Sequence, residues 1–154
     1  MQNRIVTVFF VLFLLLTAAP AHASEGLSCE ASDKAVKLSV EAGISSGVGS
    51  GFFSFKGELE ILSPGVPKDF RKLTFGRDHL TQQWLDDRNL KLRVYQERDG
   101  EPHGYVDIVI EAWPRKGDEI EFRGGYALTI FDIPKPGADG KTTSLKGRVT
   151  CSAG

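Results

Sequence analysis

The sequence predicts an all-β fold, an antiparallel sandwich or closed barrel of about eight strands, on three observations. Hydrophobic and polar residues alternate with a period of two through most of the chain. Turn-forming stretches such as Ser63-Pro64-Gly65, Asp99-Gly100 and Lys116-Gly117-Asp118 separate the alternating segments. No set of capped amphipathic segments supplies the crossover helices that a parallel sheet needs.

Two strands are predicted in the first half of the chain. The first places Val36, Leu38 and Val40 on its buried face. The second spans residues 53–61, and its residues expected to face the core are Phe53, Phe55, Gly57, Leu59 and Ile61.

Residues 78–89 are ambiguous, because Leu80 and Trp84 share a face both in a strand and in a helix. We favour a strand here. After it, the segments 90–97 and 104–111 predict a hairpin centred on Gly100. That centre pairs Leu92 with Ile108 on the buried face, and on the outer face it pairs Arg93 with Asp107 and Tyr95 with Tyr105.

The last strands are predicted from Ile120 onward and over residues 145–151. Ile120 and Phe122 begin a strand that residues 126–133 continue. Gly124-Gly125 between them predicts a bulge that reverses the alternation.

The amino terminus has the pattern of a secretory signal peptide over residues 1–23. Arg4 precedes an apolar run at residues 5–16, and Ala21-His22-Ala23 supplies a small-residue cleavage site. The run is shorter than the roughly 20 residues that span a bilayer. We therefore expect a periplasmic or secreted protein whose residues 24–154 form one β domain, with no membrane segment after cleavage.

Cys29 and Cys151 lie near opposite ends of the predicted mature chain, which predicts a disulfide in an oxidising compartment. A disulfide holds its two Cα atoms about 5.5–6 Å apart, so the first and last strands should be neighbours. The alternative is a lipoprotein processing site at Gly26-Leu27-Ser28-Cys29, which would leave Cys151 without a partner.

Charge argues against a nucleic-acid partner, because the formal net charge is only −1. The distribution is uneven: residues 68–98 carry eight basic and five acidic side chains, and residues 99–121 carry two basic and seven acidic ones. Pairing between these consecutive strands is the simplest explanation. A dipolar surface for another exported protein is the alternative.

The motifs of common catalytic and cofactor sites do not fit the sequence. The glycine-rich segment 43–51 leads into a strand, whereas phosphate-binding loops open a helix. A metal site would have to combine His79 and His103 with Asp86 or Asp87. Carboxylate pairs for glycoside hydrolysis would come from Asp86, Asp87, Asp107 and Glu111. We predict no catalytic residues, no metal and no cofactor.

The outer face of the predicted hairpin is the candidate binding surface, because aromatic rings cover apolar area while neighbouring polar groups fix orientation. Its candidate residues are Tyr95, Tyr105, Trp113, Arg93, Asp107 and Glu111. Val109 at the centre of this face suggests that a loop buries part of it.

These observations favour a non-catalytic binding or accessory module, a monomer with an unknown protein or glycan partner in the envelope. A carbohydrate-binding protein would need coplanar exposed rings, and a small-ligand carrier a hollow barrel. A hydrolase would need a histidine in contact with a carboxylate. A protein inhibitor would need a protruding loop, for which residues 43–51 and 134–140 are the candidates.

Overall fold

The computed structural model describes residues 26–45, 51–86 and 89–154. The predicted signal peptide, the centre of the glycine-rich segment and Asp87 lie outside these ranges. The described ranges contain nine strands: β1 (Gly26–Ser32), β2 (Val36–Ser45), β3 (Gly51–Ile61), β4 (Lys72–Phe75), β5 (Leu80–Leu85), β6 (Leu90–Glu97), β7 (Gly104–Arg115), β8 (Asp118–Asp132) and β9 (Lys141–Ala153). Two short 3-10 helices occupy Lys68–Phe70 and Arg77–His79.

All nine strands belong to one antiparallel sheet in the order β4-β3-β2-β1-β9-β8-β7-β6-β5. The sheet curls into a nearly closed barrel. β5 at one end of this order comes near β3, which is next to the last strand at the other end. The all-β prediction is therefore confirmed, as is the strand at Leu80–Leu85. We call the gap between β3 and the outer edge of β5 the seam. Within the described ranges, no helix has the length and hydrophobicity of a membrane span.

One hydrophobic core fills the barrel. Inward side chains from all nine strands contribute to it, and those with almost no exposure include Val36, Val40, Leu90, Leu92, Val94, Val106, Ile108, Ile110, Leu128 and Ile130. Val66 and Phe70, from the connection between β3 and β4, join the same cluster. The interior is thus packed with side chains, which disfavours the hollow carrier considered from the sequence.

The predicted disulfide joins Cys29 of β1 to Cys151 of β9 and is confirmed. The two residues face each other directly in the ladder, with their Cα atoms 4.0 Å apart and both side chains buried. Paired backbone bonds between Gly26 and Gly154 close the same ladder. Since both cysteines are in the disulfide, the lipoprotein alternative is wrong.

The prediction that Phe53 faces the core is wrong, because β3 contains a bulge. The register with β2 shifts between Glu41 and Gly43, and Ser54 adopts a left-handed conformation with φ of 50°. One extra residue reverses the alternation. As a result Phe52 and Phe55 are buried, while Phe53 is 48% exposed.

A second bulge separates Leu80 from Trp84, which the sequence placed on one face. The register between β5 and β6 shifts between Leu80 and Gln82, and the Thr81 hydroxyl donates to the Arg93 carbonyl, 3.1 Å away. Leu80 is therefore buried, and Trp84 points outward with 58% of its surface exposed.

The bulge predicted at Gly124-Gly125 is absent, and β8 pairs without a shift through both residues. Gly124 lies directly opposite Ala112, where a Cβ atom would collide with the backbone of Glu111 and Ala112. This glycine allows two strands to approach closely rather than reversing the alternation.

The predicted register of the β6–β7 hairpin is wrong by two residues. Leu92 pairs with Ile110, Arg93 with Val109 and Tyr95 with Asp107. A shift of two keeps every side chain on its predicted face, so hydrophobic alternation does not distinguish the two registers. The hairpin loop distinguishes the two registers. The Arg98 N–H bonds to the Gly104 carbonyl, so the loop consists of residues 99–103 and is longer than the predicted register requires.

The Arg98 side chain holds this loop against the rest of the barrel. Its guanidinium donates to Asp69 (2.6 Å), to Asp132 (2.6 Å) and to the Pro102 carbonyl (2.7 Å). It also lies over the Phe70 ring, 4.7 Å from the centroid. We call this end of the barrel the covered end, and the opposite end, where β2 leads to β3 and β5 leads to β6, the open end.

Candidate functional site

The outer face of β5, β6 and β7 carries the candidate site. On β6 and β7 the odd-numbered residues point outward, because the even-numbered ones fill the core. Arg93 binds Asp107 through two nitrogen atoms, with the shortest N–O distance at 2.7 Å. Lys91 and Glu111 form a second ion pair, 3.3 Å apart. Three predicted site residues, Arg93, Asp107 and Glu111, therefore lie together at the centre of this face.

Trp84 borders these ion pairs and forms one wall of a groove of about 300 Å³. The groove, which we call the Trp84 groove, is lined on its outer side by Gln82, Trp84, Lys91, Arg93, Val109 and Glu111. Half-buried Val109 lies at the centre of this outer face, where it is flanked by charged side chains. The Trp84 indole N–H donates to Asp86, 3.2 Å away, which restrains the ring.

Tyr95 and Tyr105 lie nearer the covered end and contact each other, with ring centroids 5.4 Å apart. Tyr105 also stacks on Phe131 of β8 at 5.5 Å, and His103 lies about equally close to both of those rings. The interplanar angles are 36° and 23° for the two closest pairs. Because neighbouring rings stack on one another, their faces are partly covered and do not form a coplanar platform.

Trp113 lies apart from the two tyrosines. It is on the same face of β7 as Tyr105, but at about 3.4 Å per residue it is about 27 Å further along the strand. Its direct neighbour on β8 is Arg123, and 52% of its surface is exposed. The candidate binding surface predicted from the sequence is therefore divided into three parts: two tyrosines near the covered end, a charged centre, and Trp113 toward the open end.

Sequence reasoning missed Trp84 and Phe131 as members of this surface. Phe131 was within reach of prediction, because the alternation that buries Leu128 and Ile130 turns Phe131 outward, and the structure places it directly across from Tyr105. Trp84 was not, because Thr81, Gln82 and Gln83 are all polar and leave no alternation from which to place a bulge.

The charges of the site are fixed by their partners. Arg93 is a permanent cation, as arginine is in proteins, and the hydrogen bonds and charge of Asp107 raise its pKa further. The hydroxyl of Tyr95 donates to Glu97 at 2.6 Å, and this bond, with partial burial, raises the pKa of Tyr95 to about 12. The pairs Arg93–Asp107 and Lys91–Glu111 also join the basic and acidic segments noted in the sequence. Part of that charge asymmetry thus cancels across the β6–β7 ladder.

The residues considered for metal binding and hydrolysis have other partners. The His79 ring accepts the Gly76 N–H at 3.0 Å, and His103 belongs to the aromatic cluster. Asp86 accepts from Trp84 and from the Asn89 N–H. Across the described ranges, no three acidic, histidine or cysteine side chains are grouped as metal ligands.

Two other surface features are less suited to a small ligand. A groove of about 550 Å³ on the outer face of β1–β4 is lined by charged, small polar and aliphatic residues, with Glu60 bound to both Lys37 and Lys72. It has no aromatic wall. The 134–140 loop between β8 and β9 is largely exposed, as an inhibitory loop would be.

Comparison of the chain with protein-family models, with curated proteins and with solved structures gave no match. A function is therefore inferred from the fold and from the chemistry of the outer face.

Proposed function

We propose that the protein is an exported, non-catalytic binding module that takes its ligand in the Trp84 groove. Export is supported by the predicted signal peptide and by the disulfide, which persists in oxidising compartments. A rigid sheet presents the groove, because the inward residues of the same strands are tightly packed. Such a site binds without needing a moving lid.

The exposed indole of Trp84 is the observation that carries the proposal. A large aromatic side chain with 58% exposure at the edge of a groove leaves apolar surface in water. Donors and acceptors lie beside it: the Gln82 amide, the Lys91 ammonium and the Glu111 carboxylate. An aromatic face beside such groups matches a sugar ring, which has an apolar face and an edge of hydroxyls. Carbohydrate is therefore the ligand class we propose.

The test is a fluorescence titration with soluble oligosaccharides of glucose, xylose and N-acetylglucosamine. Because the chain has two tryptophans, Trp113→Phe leaves Trp84 as the only indole, and we expect ligand to quench its emission. Trp84→Ala should lower affinity at least about tenfold, which corresponds to about 1.4 kcal/mol. Isothermal titration calorimetry provides an independent value of the affinity.

Trp113→Ala is the matched control, since Trp113 is similarly exposed but does not line the groove. We expect it to bind like the parent. Equal affinity of the parent and Trp84→Ala, or no binding of any of these sugars at millimolar concentration, would contradict the carbohydrate site.

A further inference from the structure

Among the residues that the structure describes, no strand pairs with the outer edge of β5 at the seam, although β5 pairs with β6 along its other edge. We propose that this edge is a docking site for a short extended segment of another polypeptide, added to β5 as an antiparallel strand. The site adjoins the Trp84 groove, since Trp84 also borders the seam, but it differs in what it recognises, because it binds through backbone groups rather than through the indole.

The direction of the backbone groups follows from the β5–β6 ladder. The Asp86 N–H bonds to the Asn89 carbonyl at 3.1 Å, which makes this the first hydrogen-bonded pair of the hairpin. Bonded and non-bonded pairs alternate in antiparallel sheets, so Trp84 and Gln82 bond to β6. Gln83 and Leu85 therefore turn their N–H and C=O groups toward the seam. Among the described residues, no ladder joins β5 to β3.

The β5 edge lacks the features that usually block strand addition. The strand reads Leu-Thr-Gln-Gln-Trp-Leu, with no charged residue and no proline. Edge strands that avoid pairing are often charged, very short or interrupted by proline. β4, the other edge of the sheet, is shorter and begins with Lys72. Only the bulge near Thr81 interrupts β5, and it leaves Gln83 to Leu85 regular.

The seam also contains groups that select a sequence. A groove of about 410 Å³ lies beside Gln83 and Leu85 and is lined on its far side by Ile44 and Phe52. The Gln83 side-chain oxygen is buried without a hydrogen-bond partner. A residue opposite Leu85 would therefore be apolar, and one opposite Gln83 would carry a donor. Read from its amino end, the segment would contain an apolar residue, any residue, and then Asn, Gln, Ser or Thr.

A lone strand fits this edge better than a second copy of the protein. β3 lies on the far side of the seam, and at the nearest points its Cα atoms are within 8 Å of β5, which is too close for a strand spaced about 4.8 Å from β5. The room for one segment is the groove of about 410 Å³ that separates Gln83 and Leu85 from Ile44 and Phe52. A whole sheet brought edge-on to β5 would collide with β3. A single extended segment meets β5 with its backbone and reaches the groove with its side chains.

The test uses the peptide Ac-Thr-Leu-Thr-Gln-Thr-NH2 and amide NMR spectra of the full secreted protein. Leu is designed to lie opposite Leu85 and Gln opposite Gln83. We expect saturable shifts centred on these two amides and at least about tenfold slower hydrogen exchange at both. A peptide N-methylated at Leu should lose binding, because that N–H faces β5. One N-methylated at the central Thr should bind, because its N–H points away from β5.

On the protein side, Gln83→Pro removes both the N–H that points into the seam and the side-chain oxygen that selects a donor, and it should weaken binding at least tenfold. Thr74→Ala, at an exposed position of β4 away from the seam groove and the Trp84 groove, is the control and should bind like the parent. If Gln83→Pro does not fold, binding of the two N-methylated peptides to the parent protein tests the proposal without a protein variant. No shift at Gln83 and Leu85 with millimolar peptide, or equal binding of both methylated peptides, would overturn the proposal. Self-association of the protein through β5 without peptide binding would overturn it as well.

Discussion

Asp33 and Tyr126 form a contact that joins the β1–β2 turn to β8 at the covered end. One carboxylate oxygen of Asp33 accepts the N–H groups of Ala35 (2.7 Å) and Val36 (2.9 Å), and the other accepts the Tyr126 hydroxyl (2.6 Å). A Cβ atom at Gly147 would collide with both side chains, so glycine there keeps the contact open. Burial, aided by Asp33, raises the pKa of Tyr126, and the Tyr126 hydrogen bond lowers the pKa of Asp33.

We predict that Tyr126→Phe lowers the free energy of unfolding by about 0.5–1.5 kcal/mol at neutral pH, because the buried hydroxyl loses its hydrogen bond to Asp33, whose exposed carboxylate is then rehydrated. Chemical denaturation of the parent and the variant measures the difference. The ring stays in place, so core packing should not change. An unchanged unfolding midpoint would show that the hydroxyl contributes nothing to stability.

The pH dependence of this difference gives a second check. A lowered folded pKa means that ionised Asp33 stabilises the parent fully above its ordinary pKa of about 3.9. That stability is lost as the pH falls through the lower folded pKa. The gap between parent and Tyr126→Phe should therefore narrow below about pH 4. A gap that stays constant down to pH 2 would assign the loss to packing instead.

At the level of the strands, alternation predicted faces correctly wherever the ladder is regular. Val36, Leu38 and Val40 are buried as expected, and so are Leu92 and Ile108. It failed where one inserted residue changes the phase, at Phe53 in β3 and at Trp84 in β5. Bulges depend on the partner strand, which a local pattern does not contain. The candidate site was therefore only partly predictable: its charged centre was found, while its exposed tryptophan was missed.

The register of the β6–β7 hairpin is a second feature that the local sequence pattern did not predict. Arg93 pairs with Val109 in the ladder, yet it still binds Asp107, its predicted partner. Diagonal neighbours in an antiparallel pair are within reach of long side chains, so a contact can be right when its register is wrong. Tyr95 and Tyr105 likewise touch diagonally. Side-chain complementarity therefore predicts which residues are in contact, whereas the loop determines the pairing register.

The bulge in β3 can be tested at Ser54, whose left-handed φ of 50° is unusual for a residue with a side chain. We predict that Ser54→Val lowers the free energy of unfolding by about 1–2 kcal/mol, because a β-branched residue is strained in this conformation. Ser54→Gly should leave stability equal or higher. Ser39→Val, in the regular part of β2, is the control and should be neutral or stabilising. Equal losses at both positions would contradict a special conformation at Ser54.

The described barrel is organised around its first and last strands. β1 and β9 lie in the middle of the sheet, so the barrel consists of one half from β1 to β4 and another from β5 to β9. The ladder between the halves is short, running from Leu27–Ala153 to Glu30–Thr150. The two cysteines predicted this adjacency from the sequence, since a disulfide requires neighbouring strands. The seam on the opposite side, between β3 and β5, had no such marker in the sequence.

Because the disulfide joins the two halves at their shared ladder, its loss should affect the stability of the entire barrel. The bond closes a loop over a sequence separation of 122 residues. The chain-entropy model assigns about 4–5 kcal/mol to a loop of roughly this length. We predict that Cys29→Ser markedly lowers the thermal midpoint in oxidising buffer. Reductant should lower the midpoint of the parent toward that of the variant and leave the variant unchanged. Equal midpoints in oxidising buffer would mean that the β1–β9 ladder holds the halves together without the bond.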